Sequence, residues 1–80
     1  IGWLAHASLL YRDLTAKQNL EFWGRLYGLE RPQQRADELL SEMGLEAYAD
    51  EAAGILSRGL SQRLSLARAM LHDPALLLLD

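Results

Sequence analysis

The sequence predicts an α/β fold, of which these 80 residues form a mostly α-helical part with a short strand at each end. Three stretches carry apolar residues at helical spacing, and each has a recognisable start or stop signal. Residues 1–4 form a short apolar run, and residues 75–80 place four leucines before an aspartate.

The first predicted helix begins at Thr15 and ends near Gly28. Thr15 and Gln18 have the spacing of a capping box, in which each side chain satisfies a backbone donor of the first turn. The apolar face of this helix consists of Ala16, Leu20, Trp23 and Tyr27, widened by Phe22 and Leu26.

The second predicted helix has Pro32 in its first turn and Gly44 at its stop, with Leu45 folding back on Leu40. Its inner face consists of Ala36, Leu39, Leu40 and Met43. Residues 45–56 have no strong period, and we expect a connection there with about one helical turn.

The third predicted helix runs from a cap at Ser57 to about Leu71 and is ended by Asp73 and Pro74. Its apolar residues are Leu60, Leu64, Ala67 and Leu71 on one side, with Leu66 and Met70 beside them. Because they cover so much of the circumference, this helix must pack on more than one side. We expect its missing partners to lie outside these 80 residues.

The composition is that of an ordinary globular domain, half hydrophobic and 24% charged. The net charge is -3 and the cations are scattered singly, which argues against nucleic-acid binding by phosphate neutralisation. The longest apolar run, residues 75–79, is far shorter than the roughly 20 residues of a membrane span, and no signal-peptide pattern opens the chain. Without cysteine, the sequence offers neither a disulfide framework nor a thiolate zinc site.

The two ends of the sequence look cut. The chain starts at Ile1 without a methionine and stops at Asp80 directly after the leucine run, a strand pattern that normally leads into a turn. A chain of this size is also near the lower limit for a self-sufficient hydrophobic core. We therefore expect a truncated domain.

Ser57, Arg58 and Gly59 place a serine cap, a cation and a glycine at the start of the third helix. The first N–H groups of a helix lack internal acceptors and carry the positive end of its dipole, so a phosphate oxygen is favoured there. The same residues also fit an ordinary helix start, in which Ser57 only caps the helix and Gly59 only eases packing. The spacing alone leaves both explanations open.

The string 56–80 contains Leu-Ser-Arg-Gly-Leu, then Gln-Arg, Ala-Arg-Ala, a proline, and four leucines before an aspartate. It resembles the signature motif, the following helix and the Walker B strand of ATP-binding-cassette (ABC) ATPases. Residues 1–6, 10–15 and 19–20 resemble the Q-loop region of the family and the start of its helical subdomain. The resemblance thus spans essentially the whole chain.

This resemblance implies part of an ABC ATPase domain with the P-loop NTPase fold. By the same comparison, 1–14 would be a strand and the Q-loop region, 15–55 the helical subdomain, 56–72 the signature loop and its helix, and 75–80 the Walker B strand.

In this family two ATP molecules are sandwiched between head-to-tail ATPase subunits, each held by the P-loop of one subunit and the signature loop of the other. By resemblance, Ser57 would offer its hydroxyl and Gly59 its N–H to the γ-phosphate. Asp80 would hold Mg²⁺, usually through water. Arg58 and Leu60 stand where the common motif has glycine and glutamine. Arg58 could either contact the γ-phosphate or point to solvent, and we expect Leu60 to pack inward.

His6 occupies the place where the family usually has a glutamine that reaches Mg²⁺ and the attacking water. A neutral imidazole can accept one hydrogen bond or ligate a metal. By resemblance, His6 is therefore either a nucleotide-sensing residue or a loop histidine at the contact with the membrane domain. A register one residue later would place Ala7 there, which could do neither.

The resemblance assigns no catalytic residue to this segment. The catalytic glutamate of the family follows the Walker B aspartate, where this chain ends. A P-loop requires Gly-x-x-x-x-Gly-Lys followed by Ser or Thr, and the single lysine, Lys17, lies in the first predicted helix. We expect the isolated chain neither to bind ATP tightly nor to hydrolyse it.

The resemblance implies the ATP-hydrolysing subunit of a membrane transporter, with ATP and Mg²⁺ as cofactors. A second ATPase subunit and a transmembrane permease would be its partners, at the cytoplasmic face of the membrane. The short interval between His6 and Ser57 leaves no room for the long coiled coils found here in DNA-repair and chromosome ATPases.

Within transporters, the stretch around His6 and the variant signature look most like the ATPase of the haem exporter used in cytochrome c maturation. Relatives of that general type also export drugs and polysaccharides. Two alternatives stay open. One is a non-transport ABC ATPase. The other is a helical interaction module without nucleotide chemistry, docking a partner through Tyr11, Phe22, Trp23 and Tyr27.

Overall fold

The computed structural model describes residues 10–72, and both predicted end strands lie outside this range. The described part is helical, as predicted, and contains no strand. Its helices are α1 (Ala16–Leu26), α2 (Pro32–Glu42) and α3 (Arg58–His72), with short 3₁₀ turns at Glu46–Tyr48 and Ala53–Ile55. A single isolated β-bridge joins Thr15 to Ala52 within these residues.

α1 begins with the predicted capping box. The Gln18 N–H donates to Thr15 Oγ1 at 3.0 Å, and the Thr15 N–H donates to Gln18 Oε1 at 2.9 Å. The helix ends at Leu26, and Gly28 reverses the chain with a φ of +79°. Leu26 is 60% exposed, so its predicted place on the packed face is wrong. The apolar face of α1 narrows toward the end of the helix.

The first turn of α1 is also held by a distant part of the chain. The Ala16 N–H donates to the Glu51 carbonyl and the Lys17 N–H to the Ala49 carbonyl, both at 3.0 Å. These carbonyls satisfy helix donors that have no partner inside the helix. The connection between α2 and α3 therefore packs back against the start of α1.

α2 follows the predicted pattern at both ends. Pro32 is its first residue, and Gly44 has a φ of +70° just beyond its end. The Leu45 N–H donates to the Leu40 carbonyl at 2.7 Å, which confirms that the chain folds back there. A Cβ on Gly24 would lie 3.0 Å from the Pro32 Cβ, so α1 and α2 approach closely at this point.

The core lies where the three helices meet, and helical spacing predicted most of its members. Its fully buried large side chains are Leu20, Leu39, Leu40, Leu45, Leu64 and Asn19. Smaller or slightly more exposed members include Ala16, Ala36, Ala53, Ala67, Met70 and Leu71. Of these positions, Asn19 alone is polar, and its amide fixes the loop that precedes α1.

An aromatic cluster covers one side of the contact between α1 and α3. Trp23 and Tyr27 are half-buried against the core, with ring centroids 6.0 Å apart. The Arg68 guanidinium lies 5.1 Å from the Trp23 ring centroid and donates to the Tyr27 hydroxyl at 3.2 Å. Arg68 is only 7% exposed, so this cation is part of the packing between the helices. None of the helices in residues 10–72 is long and apolar enough to cross a membrane.

Candidate functional site

Ser57 caps α3 as predicted. Its Oγ accepts a hydrogen bond from the Leu60 N–H at 3.2 Å, and its carbonyl accepts one from the Ser61 N–H at 2.8 Å. A serine hydroxyl that accepts in this way still has its own proton to donate. The cap and a contact to an anion are therefore compatible uses of Ser57.

The backbone at the start of α3 is open. Ser57, Arg58 and Gly59 are exposed, and a Cβ placed on Gly59 would have no neighbouring heavy atom within 4 Å. In the described range, no acceptor takes the N–H groups of Arg58 and Gly59. These two donors lie at the positive end of the helix dipole and are available to an external anion.

Two leucines attach the loop 56–60 to the core. Leu56 and Leu60 are half-buried and pack against the core. The expected inward packing of Leu60 is thereby confirmed. Position 60, where the common motif has a glutamine, carries an apolar side chain that packs on the core. The loop is therefore fixed on one side, while its backbone and Ser57 face solvent.

Arg58 lies beside a cleft of about 560 Å³ rather than against the core. The residues around this cleft are Leu10, Arg12, Ala53, Arg58, Ser61, Gln62 and Ser65. Arg58 is exposed and forms no ion pair with any residue of the 10–72 range. Its guanidinium and that of Arg12 give this side of the loop a positive charge, which favours an anion and leaves both earlier alternatives for Arg58 open.

Three residues near the loop were missed by sequence reasoning. Gly54, Arg12 and Asn19 were given no role of their own. The Gly54 N–H donates to the Arg12 carbonyl at 3.0 Å, and the Arg12 Nη2 donates back to the Gly54 carbonyl at 3.3 Å. Asn19 holds the neighbouring Tyr11 backbone by hydrogen bonds in both directions. A polar residue on the apolar face of α1 was the available signal for Asn19.

The other two predicted site residues, His6 and Asp80, lie outside the described residues. Within residues 10–72 no group of three or more His, Cys, Asp or Glu side chains could hold a metal ion. Of the predicted site residues, the described part of the chain brings together those of the loop 56–60.

A family model described as "ABC transporter" matches residues 1–80. The chain belongs to this family, for which the complete domain has the P-loop NTPase fold.

Individual relatives agree with this membership. The chain is 41% identical over 73 residues to the ABC transporter ATP-binding protein NatA of Bacillus subtilis, a match that covers 89% of this chain and 30% of the relative. It is 38% identical over 82 residues to the linearmycin resistance ATP-binding protein LnrL of the same organism, covering 100% of this chain and 26% of the relative. It is 36% identical over 80 residues to the cytochrome c biogenesis ATP-binding export protein CcmA 2 of Cupriavidus metallidurans, covering 100% of this chain and 38% of the relative. The chain thus spans well under half the length of these curated relatives.

Proposed function

We propose that this chain is part of the ATP-binding and hydrolysing subunit of a membrane ABC transporter, and that its loop 56–60 contacts ATP bound to a partner subunit. The observation that carries the proposal is the open start of α3. Within residues 10–72 no acceptor takes the Arg58 and Gly59 N–H groups, and a Cβ on Gly59 would meet no heavy atom within 4 Å. The chain belongs to the ABC transporter family, and the resemblance of residues 56–60 to the signature motif supports a contact with ATP at this helix start. Neither feature would suffice alone.

In the proposed contact, Ser57 donates its hydroxyl proton to a γ-phosphate oxygen while its Oγ continues to cap α3. The Gly59 N–H donates to the same phosphate. Both donors are fixed before ATP arrives, so they stabilise the charge on the phosphate without reorganising during transfer. Arg58 lies on the same side of the loop and adds positive charge.

The remaining parts of the proposal rest on family membership. A second ATPase subunit would supply the P-loop that completes the site, and a transmembrane permease would couple hydrolysis to transport at the cytoplasmic face of the membrane. His6 is proposed to sense the nucleotide and Asp80 to bind Mg²⁺. When bound, Mg²⁺ would neutralise charge on the phosphates.

The transported substrate is a separate question. One relative is named for linearmycin resistance and another for cytochrome c biogenesis, at similar identity to this chain. Haem export, which the stretch around His6 first indicated, is therefore one candidate among several. We propose membrane transport without assigning the substrate.

The alternative of an interaction module without nucleotide chemistry has less support. It relies on exposed aromatic side chains, yet Trp23 and Tyr27 are half-buried against the core. Phe22 is also half-buried, and its ring contacts those of Tyr11 and Trp23. Tyr11 alone among these four aromatic residues is largely exposed, at 48%.

Ser57→Asp in the intact subunit, assembled with its partners, tests the proposed contact. An aspartate still caps a helix, but its carboxylate repels phosphate, so ATP turnover should fall by about a hundredfold or more. Gln33→Asp is the matched control because it places the same charge on an exposed residue in the first turn of another helix, α2. Unchanged turnover in the Ser57→Asp protein would overturn the proposed function.

A further inference from the structure

We propose that Arg12 is a positioning residue for the loop 56–60 and acts through Gly54. This inference rests on the proposed function of that loop. It concerns the pair of hydrogen bonds that join the segment before α1 to the segment before α3.

The contact between Arg12 and Gly54 is reciprocal. The Arg12 carbonyl accepts a hydrogen bond from the Gly54 N–H at 3.0 Å, and the Arg12 Nη2 donates to the Gly54 carbonyl at 3.3 Å. Next to it, the Ala53 N–H donates to the Leu14 carbonyl at 2.8 Å. The two segments are therefore held together by main-chain and side-chain bonds at the same place.

The two segments approach so closely at position 54 that a glycine fits there best. A Cβ on Gly54 would lie 3.1 Å from the Arg12 Cβ and 3.2 Å from the Arg12 carbonyl oxygen. Contacts this short force a neighbour to move. A larger residue at position 54 would therefore require the backbone or the Cβ of Arg12 to shift.

The loop begins immediately after this contact. Gly54 lies within the turn Ala53–Ile55, and Leu56 follows in an extended conformation that leads to Ser57. On the other side, Asn19 holds the Tyr11 backbone, so the segment that carries Arg12 is fixed to α1. The position of Ser57 relative to α1 therefore depends on the contact between Arg12 and Gly54.

This geometry predicts which kinetic constant changes. Under the proposed function, ATP is bound mainly by the P-loop of the partner subunit, and the loop 56–60 completes the site for turnover. A displaced loop therefore lowers kcat and leaves the KM for ATP nearly unchanged.

The experiment measures ATP turnover and thermal unfolding of the intact subunit in its assembled complex. Arg12→Ala should lower kcat on the order of tenfold. This is the effect expected when one of the hydrogen bonds that position the loop 56–60 is lost. Its KM for ATP should change less than about twofold. The melting temperature should stay near wild type, because the Arg12 side chain is exposed.

Two further variants separate positioning from other causes. Arg12→Gln retains a side-chain N–H donor without the positive charge and should recover part of the lost kcat. Arg35→Ala is the matched control: Arg35 also makes one side-chain hydrogen bond, to Glu38 at 3.1 Å, but on α2 and away from the loop. It should leave kcat unchanged.

Gly54→Ala tests the other half of the contact and should also lower kcat. Because both substitutions disturb the same contact, the double variant Arg12→Ala/Gly54→Ala should lose less activity than the product of the two single effects.

An unchanged kcat in the Arg12→Ala protein would overturn the inference. So would a rise in KM at constant kcat, because that pattern belongs to a direct nucleotide ligand. Ser57→Asp, measured in parallel, separates the two proposals. If Ser57→Asp abolishes turnover while Arg12→Ala does not affect it, only the positioning role fails. If Ser57→Asp has no effect, the proposed function itself fails.

Discussion

Asn19 shows what a single buried amide can do at the scale of one residue. Its Oδ1 accepts from the Tyr11 N–H at 2.7 Å, and its Nδ2 lies within 3.3 Å of the carbonyl oxygens of Tyr11, Leu14 and Thr15. Position 19 lies three residues after Ala16 on the apolar face of α1, which is a sequence signal for a buried polar residue. The groups it bonds could not be predicted, because they depend on the path of the loop before the helix.

Replacing Asn19 should lower the stability of the protein. Asn19→Leu removes every side-chain hydrogen bond from position 19 to the segment that precedes α1. Asn19→Asp places a carboxylate against backbone carbonyl oxygens. We expect each to lower the free energy of unfolding by about 2–4 kcal/mol, since buried groups are left without partners. Chemical denaturation of the intact protein measures this. Gln33→Ala, an exposed amide on α2, should change it by less than about 0.5 kcal/mol. An Asn19→Asp protein as stable as wild type would contradict the structural role of the Asn19 hydrogen bonds.

Lys17 offers a test by pH. It lies 3.2 Å from the Asp37 carboxylate, linking α1 to α2. The hydrogen bond to Asp37 and the attraction of its charge raise the pKa of Lys17 above the ordinary 10.5. A raised pKa means that the contribution to stability is present at neutral pH and is lost as the pH rises through the folded-state pKa.

We therefore expect Lys17→Gln to lower the melting temperature slightly at neutral pH and low salt, as is usual for exposed ion pairs. The difference from wild type should shrink as the pH rises above about 10.5. Asp37→Asn should give the same pH dependence. A difference that persists at alkaline pH and in high salt would assign the effect to packing of the lysine stem instead.

At the scale of elements, helix starts and stops were predictable because their causes are local. The capping box at Thr15, the cap at Ser57 and the left-handed Gly28 and Gly44 each depend on residues within a few positions. The 3₁₀ turns between α2 and α3 were predicted only as about one helical turn. Their conformation is set by hydrogen bonds to residues 12–17, which are distant in sequence.

Gly59→Ala should separate stability from function in α3. Alanine has room there and favours a helix, so stability should rise by up to about 1 kcal/mol. The methyl group would keep a phosphate from the backbone, and ATP turnover should fall at least tenfold, because a displacement of about 1 Å can cost roughly a hundredfold.

Gly44→Ala provides the contrasting control. With a φ of +70°, this position should lose about 1 kcal/mol on substitution, without a specific loss of turnover. Thermal unfolding and ATPase assays on the same preparations measure both effects. A Gly59→Ala protein with wild-type turnover would argue against a phosphate at this backbone.

At the scale of the whole molecule, the sequence predicted the helical character of residues 10–72 and the cap at Ser57. The open backbone at Gly59 fits the anion site that the sequence left as one of two explanations. The assignments of His6, Asp80 and the two end strands stay predictions. The contact between Arg12 and Gly54 could not be predicted, because it joins residues 42 positions apart in the chain. Such a contact requires knowledge of the fold.

The isolated 80-residue chain should show no ATPase activity. Within it, the only lysine is Lys17 in α1, and no Gly-x-x-x-x-Gly-Lys sequence is present to hold the phosphates. A coupled phosphate-release assay on the purified chain, beside the intact subunit complex, measures this. Turnover by the isolated chain that disappears in an Asp80→Asn variant would contradict the expectation.

The start of α1 has a consequence for how the chain folds during synthesis. The carbonyls of Glu51 and Ala49, which accept from Ala16 and Lys17, are made about 35 residues after the helix begins. At the usual speed of a ribosome, roughly 5–20 residues per second, this delay lasts about 2–7 s. During that time the start of the nascent helix can be held only by local contacts, the capping box of Thr15 and Gln18 and the hydrogen bonds of Asn19 to Leu14 and Thr15. These local bonds therefore protect the start of α1 until its distant partners have been synthesised.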